Sequence, residues 1–259
     1  MSQIHPTAII APGATIHETA VIGPYCIIGD AVTIGAHSVL HRHVVVTKNT
    51  RIGEHNQIYQ FASLGEDCQD LKYAGETSWL EIGDHNTIRE ACSFHRGTAQ
   101  DNALTKIGNH NLFMVNTHIA HDCVVGDHNV VANNVGVAGH VHIGNHTIIG
   151  GNAGIHQFCH IDDYSLIGGA SLILKDVAAF TMVSGNPASA HGLNIEGMRR
   201  KGWSKDTINT LRQAYRTVFR LGLTTKQALA ILEDELLAKE PKVQLLIQSL
   251  QNSQRGIVR

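Results

Sequence analysis

An aliphatic or aromatic residue at every sixth position is the feature that most constrains the fold of this chain. From Ile4 the series runs in steps of six to Leu64, breaks, resumes at Ile82, restarts one residue out of phase at Ile107 and ends at Ile173. A period of six matches neither helical spacing nor strand alternation, but it is typical of a β-helix built from hexapeptide repeats. We therefore predict an all-β architecture over residues 1–190, a parallel β-helix with three hexads in each triangular coil.

Two smaller patterns accompany the repeat. Glycine often follows the aliphatic residue, where we expect the turn to need an unusual backbone φ. Small residues recur four positions after it, where we expect crowded corners. Cys26, Cys92, Cys123 and Cys159 occupy these small positions and are expected to pack as small apolar side chains, whereas Cys68 falls in a break of the repeat.

Composition limits the location and the partners of the chain. The five cysteines form no C-x-x-C pair, which fits a reducing compartment. The N-terminus has no signal-like pattern, and there is no apolar stretch of about 18 residues. The net charge of -2 argues against a basic nucleic-acid binder. We expect a cytoplasmic protein that binds no nucleic acid and does not insert stably into a membrane.

The periodicity becomes helical near residue 196, so residues 191–259 are predicted to form a small C-terminal α-helical domain. Ser204 is expected to cap a first helix, Thr224 and Gln227 to form a capping box at a second, and Pro241 to begin a third. Residues 194–220 contain seven Lys or Arg against two Asp or Glu. Such a basic surface suits phosphates or an acidic partner.

The breaks in the repeat are candidate functional loops. They cover residues 65–80, an inserted loop, and residues 95–106. Loops that project from a rigid scaffold often carry binding and catalytic groups. The spacing does not decide the handedness of the coil, although general crossover chirality favours a right-handed one.

Histidines collect where three successive coils are predicted to stack. Hexads one coil apart lie above one another, so those that begin at Ile119, Val137 and Ile155 share a face. The histidines in or beside these hexads are His118, His121, His140 and His156. Most other histidines recur in G-x-H turns, where a surface role is the better interpretation.

The pair His121–Asp122 suggests acid–base chemistry. A carboxylate beside an imidazole fixes its tautomer and stabilises its protonated form, and histidine is the natural general base near neutral pH. The sequence contains no G-x-S-x-G elbow, no cysteine placed as a nucleophile, and no P-loop or dinucleotide fingerprint. Direct transfer is therefore favoured over a covalent intermediate.

Four segments resemble the acyl-[acyl-carrier-protein]–UDP-N-acetylglucosamine O-acyltransferases, which catalyse the first step of lipid A synthesis. They are D-L-K-Y at 70–73, H-I-A-H-D-C at 118–123, A-G-H at 138–140 and N-I-E-G at 194–197. The resemblance spans nearly the whole chain. It implies a left-handed β-helix, a homotrimer, and active sites in the grooves between subunits. It also implies UDP-N-acetylglucosamine as acceptor, a 3-hydroxyacyl donor held on the phosphopantetheine of acyl carrier protein, and no other cofactor.

The same resemblance implies roles for individual residues. His121 matches the general base that takes the proton from the glucosamine 3-hydroxyl, Asp122 its orienting partner, and the backbone amide of Gly139 the oxyanion donor. Gly169 matches the position that limits acyl chain length, where a glycine leaves room for a long chain. The residues that match substrate-binding positions are Gln69, Asp70, Lys72, His118, His140, His156, Gln157, Asn194, Glu196 and Arg200.

Three alternatives remain open from the sequence. An acetyl-coenzyme A transferase uses the same repeat, although the loop with Asp70 and Lys72 and the helical tail favour the first interpretation. A metalloenzyme similar to the γ-class carbonic anhydrases would use His121, His156 and His160 as zinc ligands. A non-catalytic scaffold would leave the stacked histidines unexplained.

Overall fold

The hexad repeat folds as a triangular prism with three parallel β-sheets, in a computed structural model that describes residues 3–259. The coils wind in the left-handed sense, as the resemblance implies. The general right-handed preference depends on long crossovers that pack back onto a sheet. Here the regular connections are turns of a few residues, so that argument does not apply. Residues of the six-residue series point into the prism, and Ile22, Ile28 and Ile34 are each 1% exposed.

Each hexad supplies one strand, and each strand pairs with the strand one coil further on. The first face contains Gln3–Ile4, Val21–Ile22, Val39–Leu40, Gln57–Ile58, Thr87–Ile88, Leu112–Phe113, Val130–Val131, Ile148–Ile149 and Leu166–Ile167, and closes with the hairpin Thr181–Gly185 and Ala188–Leu193. The second face contains Ile9–Ile10, Ile27–Ile28, Val45–Val46, Ser63–Glu66, Ser93–His95, His118–Ile119, Gly136–Val137, Gly154–Ile155 and Leu172–Ile173. The third face contains Thr15–Ile16, Val32–Ile34, Thr50–Ile52, Trp79–Ile82, Leu104–Ile107, Val124–Val125, His142–Ile143 and His160–Ile161.

Both insertions leave the prism at the same edge, which we call the loop corner: the turns that lead from the second face to the third. Residues 67–78 connect Ser63–Glu66 to Trp79–Ile82, and residues 96–103 connect Ser93–His95 to Leu104–Ile107. The strand pairing continues across both insertions. The loops therefore extend the corner without changing the stack.

The expectation that the repeat's glycines adopt unusual φ angles is wrong for most of them. Positive φ is instead found at non-glycine turn residues, such as His110 at 56° and Asn134 at 60°. The glycine is needed because the next coil approaches closely: a Cβ on Gly23 would lie 2.8 Å from the backbone of His41. The turn histidines stack along one edge with ring centroids 4.7–4.8 Å apart; they are His37, His55, His85, His110, His128 and His146.

A second apolar core joins the C-terminal helices to the last coil, where Phe180 packs among helical side chains. The helices are α1 (Ile195–Arg200), α2 (Lys205–Phe219), α3 (Thr225–Ile231) followed by a π-helical turn (Leu232–Leu236), and α4 (Val243–Asn252). The Ser204 hydroxyl caps α2, and Thr224 and Gln227 form the expected capping box of α3. Asn194 caps α1, so the N-I-E-G segment opens that helix. One detail differs from expectation, because α4 begins two residues after Pro241.

The division expected between residues 190 and 191 falls inside the last strand, Ala188–Leu193. Helical structure starts only at Ile195. The hairpin thus continues the first face directly up to the helical region.

Candidate functional site

A cavity of about 500 Å³ lies along the outer side of the second face, next to the loop corner. We call it the groove. The predicted site residues that line it are Gln69, Asp70, His118, His121, Gly139 and His156. Residues distant in sequence thus meet at one surface, because the first insertion folds over the corners of the later coils.

The His121–Asp122 pair is held rigidly at the loop corner. Nδ1 of His121 lies 2.8 Å from Oδ2 of Asp122, which is 2% exposed. The carboxylate also accepts hydrogen bonds from the amide and the hydroxyl of Thr98, at 2.8 and 2.7 Å. Burial alone would raise the pKa of Asp122, but the hydrogen bonds from His121 and Thr98 outweigh it and hold the pKa below its ordinary value. The charged carboxylate keeps the proton of a neutral His121 on Nδ1, so Nε2 is free to accept one.

Gly139 lies directly against the other side of this imidazole. A Cβ built on Gly139 would be 2.5 Å from Nε2 of His121. Within residues 3–259 the Gly139 amide donates no backbone hydrogen bond. A proton acceptor and an available amide donor therefore adjoin each other at the groove.

Two further imidazoles at this end of the groove have lowered pKa values, which favours their neutral form. Burial and the neighbouring His118 and His121 lower the pKa of His95 to about 4. Burial also lowers the pKa of His118, whose Nδ1 lies 2.8 Å from the Ser93 hydroxyl. The sequence analysis missed His95 as a lining residue. The repeat contained the signal, because Phe94 lies one coil before Ile119 and places His95 beside the histidine cluster.

The second missed residue, Arg96, ties the two insertions together. Its side chain is 1% exposed, and the guanidinium donates to the Asp67 carboxylate and to the Gly65 carbonyl oxygen. The hydroxyl of Tyr73 lies 3.3 Å from the same guanidinium and 3.0 Å from Asp67. The segment that carries Asp70 is therefore anchored at both of its ends. Nothing in the periodicity marks Arg96, since the insertion has no repeat.

Three predicted residues lie on the far side of the loop corner or at the rim of the groove. His140 does not line the groove. Its Nδ1 lies 3.1 Å from Oδ2 of Asp101, and its ring meets that of His121 edge-on at 5.0 Å. It lines a separate cavity of about 370 Å³ on the side of the third face. Lys72 and Gln157 are exposed, and the Gln157 carbonyl accepts a hydrogen bond from Nδ1 of His156.

The remaining predicted residues lie away from the groove of their own chain. The Asn194 side chain accepts from the Gly197 amide and donates to the Tyr164 carbonyl. Glu196 pairs with Arg199, and Arg200 is exposed. Gly169 is an exposed residue of the turn between the first and second faces.

The predicted zinc ligands are not brought together. His160 stacks on His142 on the third face, with ring centroids 4.7 Å apart, whereas His156 lines the groove on the side of the second face. Among residues 3–259, the one group of potential ligands whose atoms lie within 4.8 Å of one another is His121, Asp122 and His140. The Asp122 oxygens of this group already accept the hydrogen bonds that orient His121. The geometry thus favours an acid–base site over the predicted zinc set.

Two protein-family models match parts of the chain. One, described as UDP N-acetylglucosamine O-acyltransferase domain 2, matches residues 176–258. The other, six hexapeptide repeats of bacterial transferases, matches residues 104–139. The two matches fall on the helical region and on the coils that carry His121 and Gly139.

Full-length relatives carry the same description. An acyl-[acyl-carrier-protein]–UDP-N-acetylglucosamine O-acyltransferase of Psychrobacter arcticus is 78% identical over 259 residues, which is 100% of both chains. One from Thiobacillus denitrificans is 49% identical over the same span. Among solved structures, the UDP-N-acetylglucosamine O-acyltransferase of Moraxella catarrhalis is 69% identical with a TM-score of 0.98, covering 99% of this chain and 100% of that one.

Proposed function

Because this chain belongs to the acyl-[acyl-carrier-protein]–UDP-N-acetylglucosamine O-acyltransferase family, we propose that His121 is the general base of its reaction. The chain is an enzyme that transfers an acyl group from acyl carrier protein to UDP-N-acetylglucosamine, the first step of lipid A biosynthesis. In the proposed step, Nε2 of His121 takes the proton of the glucosamine 3-hydroxyl. The freed oxygen attacks the thioester carbonyl of an (R)-3-hydroxyacyl group.

The neighbours of His121 complete the proposed reaction. The Gly139 amide donates to the oxyanion as the tetrahedral intermediate forms, a contribution of about 3 kcal/mol in comparable sites. The carbon–sulfur bond then breaks, and the imidazolium returns its proton to the departing phosphopantetheine thiolate. Asp122 stabilises the imidazolium between these two transfers. The observation that carries this proposal is the hydrogen-bonded His121–Asp122 pair placed against Gly139 in the groove.

Substrate binding follows from the position of the lining residues. Gln69 and Asp70 reach over the groove from the first insertion, beside His118 and His156. We assign them to the acceptor sugar. The other residues proposed for substrate contacts are Lys72, His140 and Gln157 at the corner and its rim. Gly169 is proposed to limit acyl length, and the phosphopantetheine of acyl carrier protein is proposed as the only prosthetic group in the reaction.

We further propose that the enzyme is a homotrimer. Asn194, Glu196 and Arg200 lie away from the groove of their own chain, so a neighbouring subunit's groove is where they would meet a nucleotide. Exposed apolar residues support subunit contact: Ile9 is 65% exposed, Ile27, its neighbour on the second face, is 43%, and Phe61 is 62%. Light scattering of the purified protein is expected to give three times 28.1 kDa. A monomer would contradict the proposal.

The location is a separate proposal. No helix among residues 3–259 has the length and apolar character needed to cross a bilayer. All five cysteines are free and buried, and thiols of this kind persist in a reducing compartment. We propose the cytoplasm.

The deciding experiment supplies the purified protein with UDP-N-acetylglucosamine and one of two donors, a 3-hydroxyacyl-acyl carrier protein or acetyl-coenzyme A. We expect the 3-O-acylated nucleotide sugar and free carrier-protein thiol from the first donor, and no transfer from the second. Preferential acetyl transfer would favour the coenzyme A alternative. Stoichiometric zinc in a purified protein that transfers from neither donor would favour the metalloenzyme.

A further inference from the structure

Thr98 is buried although it lies in the second insertion, residues 96–103. It is 1% exposed, whereas the four residues that follow it, 99–102, are all exposed. Its carbonyl oxygen accepts hydrogen bonds from the amides of Asp101 and Ala103, at 3.2 and 3.0 Å. The backbone of the loop therefore holds Thr98 in place, and its side-chain hydroxyl is left for another partner.

That partner is the carboxylate of Asp122, which receives both polar hydrogens of Thr98. The amide donates to Oδ1 at 2.8 Å, and the hydroxyl donates to Oδ2 at 2.7 Å. Oδ2 also accepts from Nδ1 of His121, at 2.8 Å. The Thr98 hydroxyl and the His121 imidazole therefore share one oxygen of a buried carboxylate.

We propose that Thr98 is a positioning residue for the His121–Asp122 pair, and that its hydroxyl sets how strongly Asp122 holds the imidazolium of His121. The inference rests on the proposed function. A hydrogen bond to a carboxylate stabilises its negative charge, so each donor to Oδ2 weakens the hold of that oxygen on the other donor. With the Thr98 hydroxyl present, His121 returns its proton more readily after acyl transfer. The hydroxyl also fixes the plane of the carboxylate, and with it the direction in which Nε2 points.

Other titratable groups face the pair and contribute to its pH dependence. They are His95 and His118 on the second face, His140 and Asp101 at the loop corner, Cys68, Asp70 and Glu76 in the first insertion, and Cys123 inside the prism. Of these, His140 comes closest to the shared oxygen, with Nε2 3.9 Å from Oδ2 of Asp122. A substitution at Thr98 leaves all of them in place, and His140→Gln removes the one that approaches the same oxygen.

The test is the pH dependence of kcat/KM for UDP-N-acetylglucosamine, with a 3-hydroxyacyl-carrier-protein donor at a fixed concentration. Thr98→Val keeps the amide donor and loses the hydroxyl, so the acid limb of the profile is expected to move up by about one pH unit. On the plateau kcat should fall about tenfold, with little change in KM, because the imidazole is less well placed. Thr98→Ser keeps a hydroxyl and is expected to restore both. The same upward shift is expected when Thr98→Val is combined with His140→Gln.

The matched control is Thr147→Val. Thr147 is also buried, and it donates its amide and its hydroxyl to Oδ1 of Asn129, both at 2.8 Å. It lies in the turn from the third face to the first, at a different edge of the prism. Thr147→Val is expected to lose stability as Thr98→Val does, while its acid limb stays at the pH of the wild type.

An acid limb that stays in place or moves down in Thr98→Val would overturn the inference. An equal shift in Thr147→Val would overturn it too, as would a Thr98→Ser profile that matches that of Thr98→Val. If Thr98→Val does not fold, Thr98→Cys decides, because a thiol fits the same space and is a far weaker donor. A wild-type protein that transfers from no acyl carrier protein donor would instead refute the proposed function, so the two failures are told apart.

Discussion

Gly139 and His121 occupy equivalent turn positions in successive coils, and the imidazole of His121 fills the space that a Cβ on Gly139 would occupy. That Cβ would lie 2.5 Å from both Cε1 and Nε2 of His121. No real carbon tolerates such a contact, so the imidazole must move if Gly139 acquires a side chain. The direction in which Nε2 points therefore depends on a glycine one coil away.

The Gly139→Ala variant is expected to lose turnover while keeping its fold. The added methyl group displaces the His121 ring, and a misplacement of about 1 Å in a catalytic group costs on the order of 10²-fold in rate. Steady-state kinetics should show kcat falling with little change in KM for UDP-N-acetylglucosamine. Gly192→Ala is the control, because a Cβ there meets nothing within 4 Å. Equal activity in the two variants would contradict this relationship.

His121→Ala is expected to lower kcat by about 10²–10⁴-fold, the usual effect of removing a general base. The variant should still fold, with a lower melting temperature, because the buried Asp122 carboxylate loses its hydrogen bond from His121 and keeps those from Thr98. His128→Ala offers a matched control, since His128 is an exposed turn histidine of the stacked series. A folded His121→Ala enzyme with near-normal kcat would contradict the proposal that His121 is the general base.

The buried imidazole of His95 makes stability depend on pH. Its pKa is about 4 in the folded protein and lies near 6.5 in an unfolded chain, so the unfolded state binds more protons between those values. The free energy of unfolding should therefore fall as pH drops from about 6.5 to 4, by at most about 3 kcal/mol from this group. Urea titrations of wild type and His95→Gln should show a flatter pH dependence in the variant. Parallel pH profiles would contradict this origin.

The basic residues around α1 and the start of α2 are expected to attract the acidic carrier protein. Arg199 and Lys205 line one side of a surface cavity of about 370 Å³ with Arg212. Because salt screens exposed charges, KM for the acyl carrier protein should rise several-fold with ionic strength, and Lys205→Ala should reduce that dependence. Lys226→Ala, on α3, is the control. A KM that does not change with salt would indicate that these basic residues are only solvated and do not attract the carrier protein.

Gly169→Met is expected to shift the preference towards a donor several carbons shorter, because the added side chain fills space that the proposed chain-length position leaves open. A Cβ at Gly169 would lie 3.3 Å from the Gly151 carbonyl oxygen, so the fold needs only a small local adjustment. Each excluded methylene should change kcat/KM by about tenfold or more. The measurement is kcat/KM across a series of 3-hydroxyacyl donors. An equal loss on every donor would indicate a structural turn glycine instead.

Much of the fold could be predicted because a strict period converts sequence distance into spatial contact. One coil separates His118 from Gly136 and Ile119 from Val137, as the spacing predicts. The interior positions follow from the same series, and the prediction of stacked hexads on one face is confirmed. The caps at Ser204 and Thr224 could be predicted too, since they depend on local hydrogen bonds.

The orientation of corner side chains could not be read from the period alone. Adjacent turn residues point to different sides of the loop corner, so the position of a histidine within its turn decides which face its side chain lies on. His140 corresponds to Asp122, and both have φ near 60°, whereas Gly139 corresponds to His121. His140 therefore faces away from the groove although it lies within 5.0 Å of His121 by ring centroids.

The insertions were unpredictable for a different reason. Arg96 acts through partners in both loops, and such contacts leave no trace in a sequence without periodicity.

Helix α1 is only six residues long and contains Gly197, so it is too short to show a helical pattern. Its start depends on the Asn194 side chain, to which the family resemblance assigns substrate binding.

Both insertions lie at one corner, so the loops can change in evolution without a change in the coils of the prism. The ladder continues unbroken across them, with Ser63 paired to Ser93 and Ser93 to His118. Doubling the length of such a loop adds only about 0.6 kcal/mol of closure entropy. A lineage can thus lengthen, shorten or exchange these loops one at a time and change the lining of the groove beside an unaltered His121–Asp122 pair. The prism can stay constant while the loops at the loop corner change.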